Sequence, residues 1–329
     1  MGDVNLTLAI GDYDHVRDVL DGTVRVAGAD LTVLRLSIEE IFYRATFFRE
    51  FDVSEMSFAK VIALHALGDR GFVPLPVFPS RVFRHSSIYV RADSALSRPE
   101  ELAGKRVGVP EWAQTAAVWS RGMLVHDYRV DLRSIKWFQA GVNQPGRKEK
   151  VRLELPAGLD LTVVTDRSLS QMLVEGALDA VLSARPPEPF IDGGGRVRRL
   201  LADYADVERD YARRTGIFPI MHVVAIRKDV YQANKWVAKS LYDAMKAAKQ
   251  RTMELYRMQD ANMQRMFMNP FLTELRERTR AMMGEDHWPY GLKNNYKSLD
   301  TFLRYHHEHG LSKRRFKPEE LFVPECLDD

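Results

Sequence analysis

Cysteine is almost missing from this chain of 329 residues: the only one, Cys326, sits close to the C-terminal end. An intramolecular disulfide is therefore impossible, and no CxxC redox or zinc pair can form. No stretch approaches the ~20 consecutive apolar residues of a membrane span. The opening residues, Met1-Gly-Asp-Val-Asn-Leu-Thr-Leu-Ala-Ile10, have no basic n-region and no sustained apolar h-region, so we expect no secretory signal and a cytoplasmic protein. A dominant charge is lacking too. Lys and Arg number 48 against 45 Asp and Glu, interspersed for a net +3, which argues against nucleic acid as the main partner.

Several motifs of catalysis are also missing: GxGxxG, GxSxG and HExxH. Gly141-Val-Asn-Gln-Pro-Gly146 has the G-x4-G frame of a phosphate loop, but Arg147-Lys148-Glu149 stand where Lys and then Ser or Thr are needed. His306-His307-Glu308-His309 holds an HxH pair, yet it precedes Gly310 at a helix end, where cationic His suits the helix dipole. No metal and no organic cofactor is expected. Cys326 has no base near it in sequence, so we do not expect it to act as a nucleophile.

What is present is ample apolar content, 45%, enough to build one large or two medium domains. Val4–Ile10 alternates as a strand does, and a break at Gly11-Asp12-Tyr13-Asp14 leads into a short helix. Leu31–Leu36 is a second strand, and Ser37 with Glu40 predicts a capped helix over 38–49. A strand edge around Phe51–Ser57, a helix over 58–67, and strands Gly71–Phe78 and Ser87–Arg91 follow. The alternation restarts with strand Arg106–Val109, helix 112–127 and strand Ile135–Gln139. A polar excursion over 143–160 precedes strand Leu161–Val164, helix 168–176 and strand Ala180–Ser183. Ile217–Arg227 is one more strand, and helices over 235–257, from Pro270 to about Met283, and over 298–309 close the chain. Strands alternating with helices imply an α/β fold with largely parallel sheets. The basic stretches Gly146–Lys150 and Ser312–Lys317 read as solvated loops, and the methionines between Met253 and Met283 as core or subunit-interface packing.

The most informative segment is Phe72–Arg121. A strand-like run ends in a basic turn (Arg81, Arg84, His85, Ser86, Ser87), and a helix N-terminus follows at Pro110-Glu111-Trp112. Both can hold an anion. Three more polar clusters trail strands: Asp12-Tyr13-Asp14 with Arg17, Glu55-Met56-Ser57, and Ser183-Ala184-Arg185. In parallel α/β sheets ligands bind beyond the carboxyl ends of strands, so the four clusters are expected to converge on one crevice.

These residues also carry a family likeness. Glu55-Met-Ser57, Pro76-Val-Phe-Pro-Ser-Arg-Val-Phe-Arg-His-Ser-Ser87, Gly108-Val-Pro-Glu-Trp112 with Thr115-Ala-Ala-Val-Trp119, Ser183-Ala-Arg-Pro-Pro187, Pro219-Ile-Met-His222 and Trp288-Pro-Tyr-Gly291 together resemble the 4,5-dihydroxyphthalate decarboxylase family. The likeness runs in order along nearly the whole chain. It implies a two-lobe type 2 periplasmic-binding-protein-like fold with a ligand cleft between the lobes and a helical C-terminal extension. On that reading residues 1–90 form the first part of lobe 1, 91–220 form lobe 2, and 221–329 return to lobe 1 with the helical C-terminal region. Ser87–Arg91 and Ile217–Arg227 fit the two crossovers.

The implied activity is non-oxidative loss of CO2 from a dihydroxylated aromatic carboxylate, most simply 4,5-dihydroxyphthalate to protocatechuate. Three roles need residues. A cationic clamp would draw on Arg81, Arg84 and Arg185, with backbone N–H groups at the start of helix 112–127 and Thr115 taking a second carboxylate. Asp12, Arg17, Ser57, Ser86 and Ser183 lie in the same clusters, and Trp112 could stack on the ring. A general acid aimed at the ring carbon is expected in His85 first and His222 second. A base for the para hydroxyl would be Glu55, Glu111 or Asp12. The competing reading is a binding protein that holds an aromatic acid without transforming it. The Met-rich helices and the likeness also suggest a homo-oligomer.

Overall fold

A computed structural model describes residues 4–262 and 268–327. Its strands, in chain order, are β1 (Val4–Ala9), β2 (Ala29–Leu34), β3 (Val53–Ser57), β4 (Phe72–Pro74), β5 (Ile88–Arg91), β6 (Arg106–Val109), β7 (Lys136–Gln139), β8 (Asp160–Val163), β9 (Ala180–Leu182), β10 (Val197–Arg199) and β11 (His222–Arg227). They form two sheets, ordered β2-β1-β3-β11-β4 and β10-β5-β9-β6-β7-β8. The first three strands are parallel neighbours, as are β9, β6, β7 and β8. Each sheet also takes one strand delivered from the other side: β5 runs antiparallel to β9 and β10, and β11 antiparallel to β3 and β4.

The two segments that pass between the sheets lie side by side. Residues 75–87 lead from β4 into β5, and residues 217–221 lead back into β11. Arg81 and Ile220 form an antiparallel bridge, and the Met221 N–H donates to the Ser80 carbonyl at 2.8 Å. This two-sheet, twice-crossed architecture is the expected two-lobe α/β fold. Buried apolar residues fill each lobe, and β3 is buried along its full length, as a strand covered on both faces must be.

Two expectations need correction. The helix after β6 begins at Thr115, not at Trp112, and ends at His126. The Trp112 N–H donates to Gln139 Oε1 at 3.0 Å and the Ala113 N–H to Glu149 Oε2 at 3.0 Å, so side chains already occupy the donors assigned to an anion. The C-terminal helices do not all return to lobe 1. Helix Trp236–Asn262 packs there, against the turn Asp14–Val16, but helix Tyr296–Glu308 touches both lobes. Phe302 stacks on Phe58 of lobe 1 at 5.1 Å and meets Trp119 of lobe 2 at 5.2 Å. Gly122 makes that close approach feasible: a Cβ there would lie 2.0 Å from Tyr305 Cδ2. Of the methionine cluster, Met258 and Met268 are exposed rather than core, while Met263 and Met266 fall outside the described residues.

Candidate active site

The site begins with a carboxylate in an otherwise apolar strand. In β3, residues alternate between faces, and Glu55 and Ser57 share one. Antiparallel pairing sets His222 opposite Ser57, so His222 lies diagonally across from Glu55 on the same face. Glu55 is fully buried. An ionised carboxylate in such a place is costly unless donors surround it, and three do. Gly11 N–H reaches Oε2 at 2.9 Å, and the Tyr13 hydroxyl and His222 Nδ1 reach Oε1 at 2.7 and 2.6 Å. Burial and the neighbouring Glu55 charge hold the Tyr13 phenol protonated, hence a donor. Gly11 is needed here because a Cβ would stand 2.8 Å from the Tyr13 ring. Since a carboxylate only accepts, Nδ1 of His222 carries the proton and Nε2 is the nitrogen left for a ligand. Phe42 holds the imidazole edge-on at 4.8 Å.

His222 opens into an interlobe cavity of about 70 Å³. Lobe 1 contributes Phe42, Thr46, Met56, Ser57 and Lys60. Lobe 2 contributes Glu111, Gln114, Thr115, Ala116, Arg147, Lys150 and Ala184, and Arg84 and Met221 come from the crossing segments. A mouth of about 280 Å³ continues past Gln114 and Arg147 to Glu39, Ser183 and Arg185. The Ser57 and Thr115 hydroxyls meet across the lobes at 2.9 Å.

Arg84 is the unusual cation. Its guanidinium is buried against the Met221 sulfur and Ser87 Oγ, with no carboxylate partner among the described residues. Burial pulls its pKa down to about 10, so it remains charged at neutral pH. A buried charge without a counter-ion is expensive, and an anion in the cavity it lines would relieve that cost. The other charges form a network around Glu111. Lys60 lies at 2.9 Å, Arg147 at 2.7 Å and Lys150 at 2.5 Å from its carboxylate, while Lys60 also pairs with Glu149. Glu39 of lobe 1 pairs with Arg147 at 3.0 Å and Arg185 at 3.3 Å. Lys60, Arg147, Lys150 and Arg185 against Glu39, Glu111 and Glu149 leave one positive charge, and Arg84 adds a second. Glu55 behind His222 cancels one of these, and with His222 as the imidazolium the cleft is charged to suit a dianion.

Of the sequence candidates, the fold brings Ser57, Arg84, Glu111, Thr115 and His222 to the cavity, with Glu55 directly behind His222. Ser183 and Arg185 line the mouth, where Arg185 is 61% exposed. The rest lie elsewhere. Arg81 is spent on the Phe218 and Pro289 carbonyls and Asn295, tying the crossing segments to the C-terminal region. His85, the first choice for general acid, turns away to Tyr128 and Tyr211. Burial, with Arg214 nearby, lowers its pKa to about 4. Ser86 is tied by its backbone to Glu208 and Arg199 outside the cavity. Asp12 and Arg17 pair with each other in solvent. Trp112 is fully buried between Arg121 and Trp137, out of reach of a ligand. Arg147 and Lys150, read as a solvated loop, instead point into the cleft. Lys60 was missed altogether, although a lysine inside the apolar helix Phe58–Ala66, next to Ser57, was a usable signal.

Two lobes, two crossings and a polar cavity between them define a type 2 periplasmic-binding-protein-like chain. Solved structures agree on the fold. The periplasmic aliphatic sulphonate binding protein of Escherichia coli aligns over 100% of both chains with a TM-score of 0.55 and 12% identity. The periplasmic sulfonate-binding protein of Methylobacillus flagellatus covers 98% of this chain and 93% of its own, with a TM-score of 0.56 and 12% identity. No family model matches the chain. Sequence relatives are more specific. The chain is 37% identical over 329 residues to the 4,5-dihydroxyphthalate decarboxylase of Comamonas testosteroni, covering 100% of this chain and 99% of that one. It is also 37% identical over 214 residues to the enzyme of that name from Pseudomonas putida, 65% of this chain and 83% of the other. The chain belongs to the 4,5-dihydroxyphthalate decarboxylase family.

Proposed function

We propose that the protein decarboxylates 4,5-dihydroxyphthalate to protocatechuate without oxidation. The observation that carries this reading beyond family membership is the pairing, in one cavity, of the Arg84 guanidinium, which has no carboxylate partner among the described residues, with His222, whose Nδ1 is held by Glu55. In the substrate each carboxylate is para to a phenolic oxygen. A proton from Nε2 of the His222 imidazolium adds to the ring carbon bearing the leaving carboxylate, and the para oxygen stabilises the resulting cationic ring. The carbon–carboxylate bond then breaks, its electron pair restores the aromatic ring, and CO2 departs. The neutral imidazole regains a proton from water. The electron sink lies within the substrate, so the residues have only to bind, orient and deliver a proton.

Glu55 fixes the imidazole ring and balances the imidazolium charge. Arg84 holds one carboxylate, and the surplus positive charge around Lys60, Arg147 and Lys150 favours the second. Gly11 and Tyr13 act as positioning residues through Glu55. Ion pairs from Lys60 and Glu39 to lobe 2 close the cleft, so substrate entry requires them to part and closure then excludes water.

The test is CO2 release and protocatechuate formation from 4,5-dihydroxyphthalate by wild type, His222→Asn and Arg84→Met. Positioned proton transfer is worth ~10²–10⁴-fold, so His222→Asn should lower kcat by about that factor. Arg84→Met should act mainly by raising KM. Saturable binding of the diacid with no CO2 release by the wild type would make this a binding protein and end the proposal.

A further inference from the structure

A second concavity lies on the far side of lobe 2, outside the cleft. It is a groove of about 560 Å³, within the range of small-molecule sites. The end of helix Thr115–His126 and the turn after it form one wall, and residues 156–159 with the end of helix Tyr296–Glu308 form the other. The walls are largely apolar, with Val125, Val130, Leu132 and Leu159 facing the space.

The polar groups at its edge are not balanced. Glu308 is engaged by His126 at 2.7 Å and Asp131 by Arg133 at 2.9 Å. Arg129 alone of the lining cations has no carboxylate partner among the described residues. His309 lines the groove while only 2% exposed, and neither of its ring nitrogens has a hydrogen-bond partner among the described residues. Burial, with Arg121, His306 and His126 nearby, keeps its imidazole neutral. One donor and one acceptor of its ring are thus buried unmet behind the groove wall, each at a cost.

We propose that this groove binds a small aromatic carboxylate, its ring against Val125, Val130, Leu132 and Leu159 and its carboxylate on Arg129. The groove also carries a built-in reporter. The Trp112 indole N–H donates to the His309 carbonyl at 3.0 Å and that of Trp137 to the Leu132 carbonyl at 2.9 Å. The two indoles meet edge to face at 5.4 Å. Glu111 of the cleft immediately precedes Trp112, so occupancy of the groove is one residue from the cleft network.

The proposal does not depend on the decarboxylase reading, and the experiment keeps the two apart. Benzoate is titrated calorimetrically and by tryptophan emission into full-length Arg84→Met protein, whose cleft clamp is gone. Binding with a change in emission is expected. Adding Arg129→Asn, which removes the charge but tolerates the left-handed backbone at this position (φ 55°), should raise Kd about tenfold or more. Ala157→Phe, on an exposed turn at the groove edge, should do the same by filling space. Absence of binding in the Arg84→Met background overturns the proposal. So does binding unchanged by both added substitutions, or a change in association state in their place.

Discussion

Replacing Glu111 by Gln tests the charge network at the centre of the cleft. Burial by itself would raise the Glu111 carboxyl, but Lys60, Lys150 and Arg147 outweigh it and hold the pKa at about 2, against an ordinary 4.5. Each pKa unit corresponds to ~1.4 kcal/mol, so the ionised form adds roughly 3 kcal/mol to stability at pH 7 relative to the protonated form. Glutamine imitates the protonated form in shape and charge. Because the folded pKa lies below the unfolded one, the folded state binds fewer protons in that window. The contribution is therefore complete above about pH 4.5 and is lost as pH falls toward about 2. Urea unfolding of wild type and Glu111→Gln at pH 7, 4.5 and 3 should show a gap of roughly 3 kcal/mol that narrows only in the most acidic series. A gap of the same size at all three values would refute the argument, because it would mean that the effect is steric rather than electrostatic.

Glu55→Gln should leave one of the donors Gly11 N–H, Tyr13 hydroxyl or His222 Nδ1 without an acceptor and lower kcat by about 10²–10⁴-fold, measured by CO2 release. His85→Gln should leave kcat within about twofold. It should also flatten the loss of stability between about pH 6.5 and about 4, where burial makes protonating wild-type His85 unfavourable in the folded state. Gly122→Ala drives a methyl into Tyr305 and should cost about 1–3 kcal/mol, read as a drop in thermal midpoint.

Much of the molecule was legible along the chain because it depends on local patterns. Alternation and capping placed most strands and helices. Ser37 does cap helix Ile38–Phe48, accepting from the Glu40 N–H at 3.3 Å. The start of the helix after β6 is not legible along the chain, because the N–H groups of Trp112 and Ala113 are claimed by Gln139 and by Glu149 of a remote loop. Glu55 and His222 could be marked as candidates, but they are 167 residues apart. Only the antiparallel pairing of β3 with β11 sets them on one face.

The basic turn shows the division most clearly. Its composition established that Arg81, Arg84 and His85 were available to bind an anion. Which of them faces the cavity is a matter of direction, since neighbouring side chains in a turn point different ways. Tertiary packing sends Arg81 to the Phe218 and Pro289 carbonyls, His85 to Tyr211, and Arg84 to the cavity. The sequence by itself determined the class of fold, the family and the supply of cations. The tertiary structure alone decided which charges are neutralised by partners distant in the chain and which has no carboxylate beside it among the described residues, because net charge at a site is a sum over space and not over sequence.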